Sequence, residues 1–230
     1  MGCDIHAAIE YLNDGKWTAL ELPNKYFGKY GDEEKMTTRV DIDRDYDLFA
    51  ILGNVRNGTA FAGCKTGDGF DPMSDNRGTP DDASEGAIKA LSNEHSPTWV
   101  TLAEILAYDW RRTSRHQGYA DAKSFEEWDR MKEWNLAPPS YCGDVSGGRT
   151  EKITNAEMRI FVGEIIQQYP GHRDVATKVL AESGKYTLVE WTETYSEAGK
   201  QIWTAILPHM LALGTQYGHA NVRLVMDFDS

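Results

Sequence analysis

The chain has 230 residues, 40% of them hydrophobic and 11% aromatic, which is enough for a packed core and argues against wholesale disorder. Its formal net charge of −12 at pH 7 disfavours contact with nucleic acid or anionic membranes, so we expect no direct nucleic-acid binding. Neither a charged-then-apolar leader nor an apolar run near the ~20 residues that span a bilayer occurs, which predicts a cytoplasmic protein without a membrane segment.

The first predicted elements form a hairpin. Apolar and polar residues alternate from residue 3 to 11, which predicts a strand with one buried face. The turn-forming sequence Asn-Asp-Gly follows at 13–15, and residues 16–22 return as a second strand.

Helices are predicted where apolar residues recur at every third or fourth position. The first covers residues 48–55, with Asp45 or Asp47 as its cap. Each of three later helices begins with a Ser/Thr-x-x-Glu capping box, in which the hydroxyl accepts the third backbone N–H and the Glu reaches back to the cap. These boxes start at Thr101, Ser124 and Thr154.

Two long stretches without periodicity interrupt these elements. Residues 57–79 are rich in glycine, and residues 135–150 are rich in proline and glycine. Long irregular loops in compact domains commonly carry function. We therefore expect one of the two to line or cover the functional site.

Two strands are predicted near the C-terminus, at 186–195 and 222–228, where apolar residues again alternate with polar ones. We therefore predict a single α+β domain over residues 1–230, in which an antiparallel sheet joins the N- and C-terminal strands. Helices from the central segment would pack on its apolar face. The sheet would contain the strands near 3–11, 16–22, 186–195 and 222–228.

The second face of this predicted sheet would collect polar side chains. They are Asp4, His6, Glu190, Thr192, Arg223 and Asp227. A mixture of acids, an imidazole and a guanidinium is costly to bury unless its members are paired or used in function. The convergence indicates a functional site, with Glu190, Arg223 and Asp227 as ligand-binding candidates.

Asp4 and His6 are the candidate catalytic residues. They lie two positions apart on the predicted strand and so share a face, where they could act as an acid–base pair or as metal ligands. The alternative is an exposed polar strand face without chemistry. Cys3 would point to the opposite face, so it cannot bind one ion together with His6, and we expect it in the core.

Arg111, Arg112 and Arg115 form the densest basic cluster of this acidic chain, and arginine matches phosphate oxygens bidentately. The cluster predicts an anion site, although cations are also favoured at a helix C-terminus without binding anything. His95 and Trp99 come just before a capped helix. They would either line a ligand pocket or form a turn.

The opening sequence Met-Gly-Cys-Asp-Ile-His resembles the N-terminal signature of a family of tailed-bacteriophage proteins. The further stretches that are similar lie at 44–52, 55–57, 77–82, 95–96, 99–102, 222–225 and 228–229. The resemblance implies a phage or prophage origin, and it assigns no catalytic residue.

Three functions remain open from the sequence. The first is a phage protein of the host cytoplasm that binds a small anionic, nucleotide-derived molecule, without a cofactor or resident metal, and so sequesters or degrades a host defence signal. The second is metal-assisted hydrolysis by Asp4 and His6. The third is inhibition of a host protein through the acidic surface. Association into a homo-oligomer is compatible with each.

Overall fold

The computed structural model describes residues 2–29, 31–60 and 63–229. They divide into two compact units. The first unit consists of the described residues within Met1–Asn57, Phe70–Arg111 and Tyr195–Ser230, and the second of those within Gly58–Gly69 and Arg112–Thr194. The single domain expected over the whole chain stays a prediction.

Strands and helices are numbered in chain order through both units. The strands are β1 (Ile5–Asn13), β2 (Lys16–Ala19), β3 (Leu22–Pro23), β4 (Met36–Thr37), β5 (His95–Thr101), β6 (Thr113–Asp121), β7 (Glu151–Lys152), β8 (Lys185–Thr194) and β9 (Val222–Phe228). The α-helices are α1 (Tyr46–Gly53), α2 (Glu85–Ala90), α3 (Leu102–Ala107), α4 (Ala122–Met131), α5 (Asn155–Gln168), α6 (Arg173–Glu182), α7 (Tyr195–Ala198) and α8 (Leu207–Tyr217). None of the helices in the described ranges combines the length and the apolar composition that a membrane span requires.

The first unit is built on a four-stranded antiparallel sheet in the order β2-β1-β9-β5. The N- and C-terminal strands are therefore neighbours, as predicted, with Ile5 opposite Phe228. This register sets the apolar faces of the two strands side by side, so one core covers both. The hairpin is also confirmed: Asp14 and Gly15 have φ angles of +49° and +78°, as a type I′ turn requires.

Helix α1 packs on the apolar face of this sheet, where its residues 48–52 are almost completely buried. Asp45 is its N-cap, since the carboxylate accepts the N–H of Leu48. Cys3 is 1% exposed and joins the same core, as expected. A π-helical turn precedes α8, because Pro208 has no N–H with which to continue α-helical hydrogen bonding.

The second unit has a separate sheet in the order β6-β8-β7. The strand predicted at 186–195 exists as β8, but the prediction that it joins the N- and C-terminal strands is wrong, because it pairs with β6 and β7. Alternation of apolar and polar residues identifies a strand, but it does not identify the strands with which it pairs. Helices α4, α5 and α6 bury the apolar face of β8, where Val189 and Trp191 pack against Phe125 and Met158.

Two of the three predicted capping boxes are present, at Thr101 and Thr154. The third is wrong. Helix α4 begins earlier, and its N-cap is Asp121, whose carboxylate accepts the N–H of Ser124 at 2.7 Å. Aspartate and serine are equally good N-caps, so the sequence pattern alone could not choose between the two starts.

Candidate functional site

The polar face of the first-unit sheet is buried. Helix α2 covers it, with Ala87 and Ala90 packed on Ala8 of β1. Glu10 is fully buried on this face, and Arg223 is 4% exposed. Glu10 of β1 and Arg223 of β9 are directly opposite each other, and the Arg223 Nε donates to Glu10 Oε2 at 2.8 Å. These charges are therefore paired inside the fold.

Asp227 is held in a similar way. It is 1% exposed, and its carboxylate accepts the backbone N–H groups of Ser92 at 3.0 Å and Asn93 at 2.5 Å. The Glu10 carboxylate accepts the N–H of Ser84 at 2.6 Å. The buried carboxylates thus anchor the chain on both sides of α2, where the sequence predicted a ligand.

Glu190 and Thr192 were expected on the same face, and that expectation is wrong because both lie on β8 in the second unit. The Glu190 carboxylate is 3.6 Å from a guanidinium nitrogen of Arg115. The N–H of Thr192 donates to the side chain of Asn135 at 3.1 Å. Both residues are therefore engaged within the second unit.

His95 and Trp99 lie on β5, which pairs with β9, and not in a turn. The His95 ring stacks on Phe228 with centroids 6.2 Å apart. The guanidinium of Arg77 lies over the Trp99 ring, 5.1 Å from its centroid. Both aromatic rings therefore pack against other parts of the first unit.

The predicted anion site is divided between the units, since Arg111 belongs to the first and Arg112 and Arg115 to the second. The Nε of Arg111 donates to Asp109 at 3.0 Å. Arg115 donates to Asp68 at 3.1 and 3.3 Å. Carboxylates of the chain therefore already neutralise Arg111 and Arg115, and an anion site at these arginines stays a prediction.

Asp4 and His6 lie where the first and last strands of the sheet meet, and Asp229 joins them. The Nε2 of His6 is 2.8 Å from Asp229 Oδ2, and the N–H of Asp4 donates to Asp229 Oδ1 at 2.8 Å. Arg44 donates to both carboxylate oxygens of Asp4, at 2.8 and 2.9 Å. We call Asp4, His6, Arg44 and Asp229 the terminal junction.

The carboxyl groups of the junction are ionised at neutral pH. Burial raises the pKa of Asp229, but hydrogen bonds from His6 and from the N–H of Asp4, with the charges of His6 and Arg39, bring it below its ordinary value. The hydrogen bonds from Arg44 likewise lower the pKa of Asp4. An ionised carboxylate only accepts hydrogen bonds, so Nε2 of His6 carries the proton shared with Asp229.

Two clefts adjoin the junction, and Thr37 and Arg39 line both of them. The first, the His6 cleft, has a volume of about 720 Å³ and also has Lys89 in its wall. The second, the Asp4 cleft, has a volume of about 810 Å³. Both volumes lie within the roughly 300–1,000 Å³ that small-molecule sites usually have.

Arg39 is one of the residues of this region that sequence reasoning missed. Its backbone is fixed beside β1, through a bridge to Ala8 and a hydrogen bond from its N–H to Thr37 Oγ1 at 3.1 Å. Its side chain is exposed, and no carboxylate in the described part of the chain lies within ion-pair distance of it. Arg44 and Arg77, by contrast, contact Asp4 and Glu104.

In the described part of the chain, neither long loop lines these clefts, and the predicted metal ligands Asp4 and His6 belong to no metal-binding cluster. None of the described residues of 57–79 or 135–150 lines either one. Among residues 2–29, 31–60 and 63–229, no third carboxylate or imidazole joins His6 and Asp229 within the distances that one metal ion needs. The hydrogen-bonding and ionic chemistry of the site therefore comes from Arg39, His6 and Asp229.

The junction should weaken in acid. Because the folded-state pKa of Asp229 is below its unfolded value of about 3.9, its stabilising contribution is present above that pH and is lost as the pH falls further. The melting temperature should therefore fall less between pH 5 and pH 3 in Asp229→Asn than in wild type. In the control variant Asp75→Asn, which changes an exposed aspartate, the melting temperature should fall as much as it does in wild type. An Asp229→Asn variant with the wild-type pH dependence would contradict this expectation.

Comparison with known proteins adds no relative. A scan of protein-family models, a search of curated proteins and a search of solved structures all gave no match. The functional interpretation therefore depends on the geometry of the terminal junction and its clefts.

Proposed function

We propose that the first unit binds a small anionic molecule in the His6 cleft through Arg39. One observation carries the proposal: Arg39 combines a backbone fixed beside β1 with an exposed guanidinium that has no ion pair among the described residues. A guanidinium in this state matches the oxygens of a phosphate or carboxylate bidentately. His6, which lines the same cleft, adds an imidazole that can hydrogen-bond to the ligand.

The charges around the cleft favour a ligand with one compact anionic group. Lys89 also lines the cleft, but its Nζ already contacts Glu34 at 2.9 Å. Glu21 and Glu85 complete the charged wall and would repel further negative charge. The anionic group should therefore lie at Arg39, with the less charged part of the ligand towards the glutamates.

At a finer level, we propose a phage or prophage protein that sequesters or degrades a nucleotide-derived defence signal of its host. The support is the N-terminal resemblance and the match between arginine and phosphate. Metal-assisted hydrolysis by Asp4 and His6 has less support, because Arg44 binds both carboxylate oxygens of Asp4. Inhibition of a host protein through the surface is supported by the net charge of −12.

Isothermal titration calorimetry with inorganic phosphate, pyrophosphate and mono- and cyclic nucleotides tests this proposal. Arg39→Gln should weaken binding by about 10- to 100-fold, since a hydrogen bond to a charged group contributes about 1.5–3 kcal/mol. Binding should also weaken as salt shortens the Debye length from about 10 Å to about 3 Å, because Arg39 is exposed.

Arg149→Gln is the matched control. Arg149 is an exposed arginine of the second unit, and the described residues give it no ion pair either. This variant should bind every ligand as wild type does. Equal affinities of Arg39→Gln and wild type, or no heat with any ligand of the panel, would contradict the proposal.

A further inference from the structure

We infer that His6 is a general base that activates water for the hydrolysis of a phosphate ester bound in the His6 cleft. The inference rests on the proposed function, because Arg39 holds the ester there. It gives the site a reaction, a base and a positioning residue, and it needs no metal ion.

Asp229 determines which nitrogen of His6 is free. The ionised carboxylate lies 2.8 Å from Nε2 and can only accept, so Nε2 carries a proton. In a neutral imidazole the other nitrogen, Nδ1, then has a lone pair. No group in the described chain makes a hydrogen bond to Nδ1 of His6. An imidazole oriented by a carboxylate through one nitrogen, with the other nitrogen unused, has the arrangement of a general base.

The surroundings of His6 favour a base over a metal ligand. Its side chain is 13% exposed, so it is held in place but still lines the cleft. Arg39 lines the same cleft, and its positive charge disfavours a metal cation and favours an anionic ester. A lone imidazole also lacks the further protein ligands that hold a catalytic metal.

The reaction is balanced without a cofactor. Nδ1 of His6 takes a proton from water while the water oxygen forms a bond to phosphorus. The bond between phosphorus and the ester oxygen breaks on the side opposite the attacking water. The leaving oxygen takes a proton from solvent and the imidazolium gives its proton back to solvent, so an alcohol and a phosphate are released and His6 is restored. Arg39 pairs with the non-bridging oxygens, which carry the negative charge. Asp229 acts through His6 and is a positioning residue.

The tautomer of His6 can be measured without any substrate. In long-range ¹H–¹⁵N correlation spectra, protonated and unprotonated ring nitrogens have different shifts, and His6→Gln identifies the His6 signals. We expect neutral His6 to be protonated at Nε2 in wild type, to populate both tautomers in Asp229→Asn, and to return to Nε2–H in Asp229→Glu. Neutral wild-type His6 protonated at Nδ1 would overturn the inference.

Turnover is tested with p-nitrophenyl phosphate and bis(p-nitrophenyl) phosphate, whose hydrolysis releases a coloured product. Wild type should hydrolyse at least one of them, and His6→Gln should lower kcat by about 10²–10⁴-fold, as loss of a general base does. In calorimetry, His6→Gln should lose less affinity for inorganic phosphate than Arg39→Gln does, because Arg39 still holds the anion and only the hydrogen bond from His6 is lost.

The outcomes separate this inference from the proposed function. Phosphate binding that depends on Arg39, without hydrolysis of either ester, would overturn the general base and leave the binding function standing. No binding of any ligand of the calorimetry panel would overturn both. Equal kcat in His6→Gln and wild type would assign the hydrolysis to another group and overturn the inference.

Discussion

Replacing Glu10 with alanine is expected to lower the free energy of unfolding by about 3–5 kcal/mol, because it leaves the buried Arg223 guanidinium without its main partner. Glu10 has no exposed surface, and Arg223 has only 4%. The hydrogen bond from the N–H of Ser84 to the Glu10 carboxylate is lost at the same time. Asp82 still accepts from Arg223 at 2.9 Å, but its own side chain is 66% exposed.

Two comparisons show whether burial of the charge is the cause of this loss. Asp4→Ala breaks the solvent-exposed pair with Arg44 and should leave the denaturation midpoint close to that of wild type. The double variant Glu10→Leu, Arg223→Met removes both buried charges and should recover most of the stability. If Glu10→Ala were as stable as Asp4→Ala in chemical denaturation, the buried pair would not have the structural importance assigned to it.

Truncation of Phe228 to alanine is expected to cost about 3–5 kcal/mol, the usual loss for a buried aromatic ring. Phe228 is fully buried where the two terminal strands meet α1. Its ring centroid is 5.5 Å from that of Phe49, and its edge lies close against Gly53. Neither the rigid Phe49 ring nor the backbone at Gly53 can fill the cavity left by truncation.

Phe27 provides the matched control for this prediction, because it is a phenylalanine of the same unit with 48% of its surface exposed. Phe27→Ala should change the free energy of unfolding by no more than about 0.5 kcal/mol. Urea denaturation of the two variants gives the comparison directly. Equal losses in the two variants would mean that Phe228 is not part of the core that joins the chain ends.

The terminal strands could be predicted because each has one apolar face, and two such faces are best buried side by side. The hairpin strand β2 could be predicted from its turn sequence, and β8 from its alternation. The partners of β8 could not, because pairing depends on residues distant in sequence. Strand β6 carries polar residues such as Arg115 and Gln117, and its partner β8 lies much later in the chain. In β5 the register shifts between His95 and Thr98, and Ser96 has a φ of +51°, so alternation does not reveal it.

The candidate site could be predicted only in part. His6 was found because it is polar and faces away from the apolar side of its strand. Asp229 was not, because it contacts His6 diagonally across the strands, whereas Asp227 is the residue directly opposite. Arg39 lies in an irregular stretch, and its bridge to Ala8 places it beside the sheet. Sequence reasoning missed Asp229 and Arg39 because their positions depend on contacts between segments distant in the chain, which local sequence patterns do not show.

Binding of a small anion at Arg39 in the His6 cleft can be observed directly. The most direct measurement is an NMR titration with pyrophosphate, followed through the backbone amide shifts. We predict saturable shifts at His6, Thr37 and Arg39 in wild type, and their loss in Arg39→Gln. Saturable shifts confined to the chain around Arg111 and Arg115, with the His6 cleft unchanged, would contradict anion binding at Arg39.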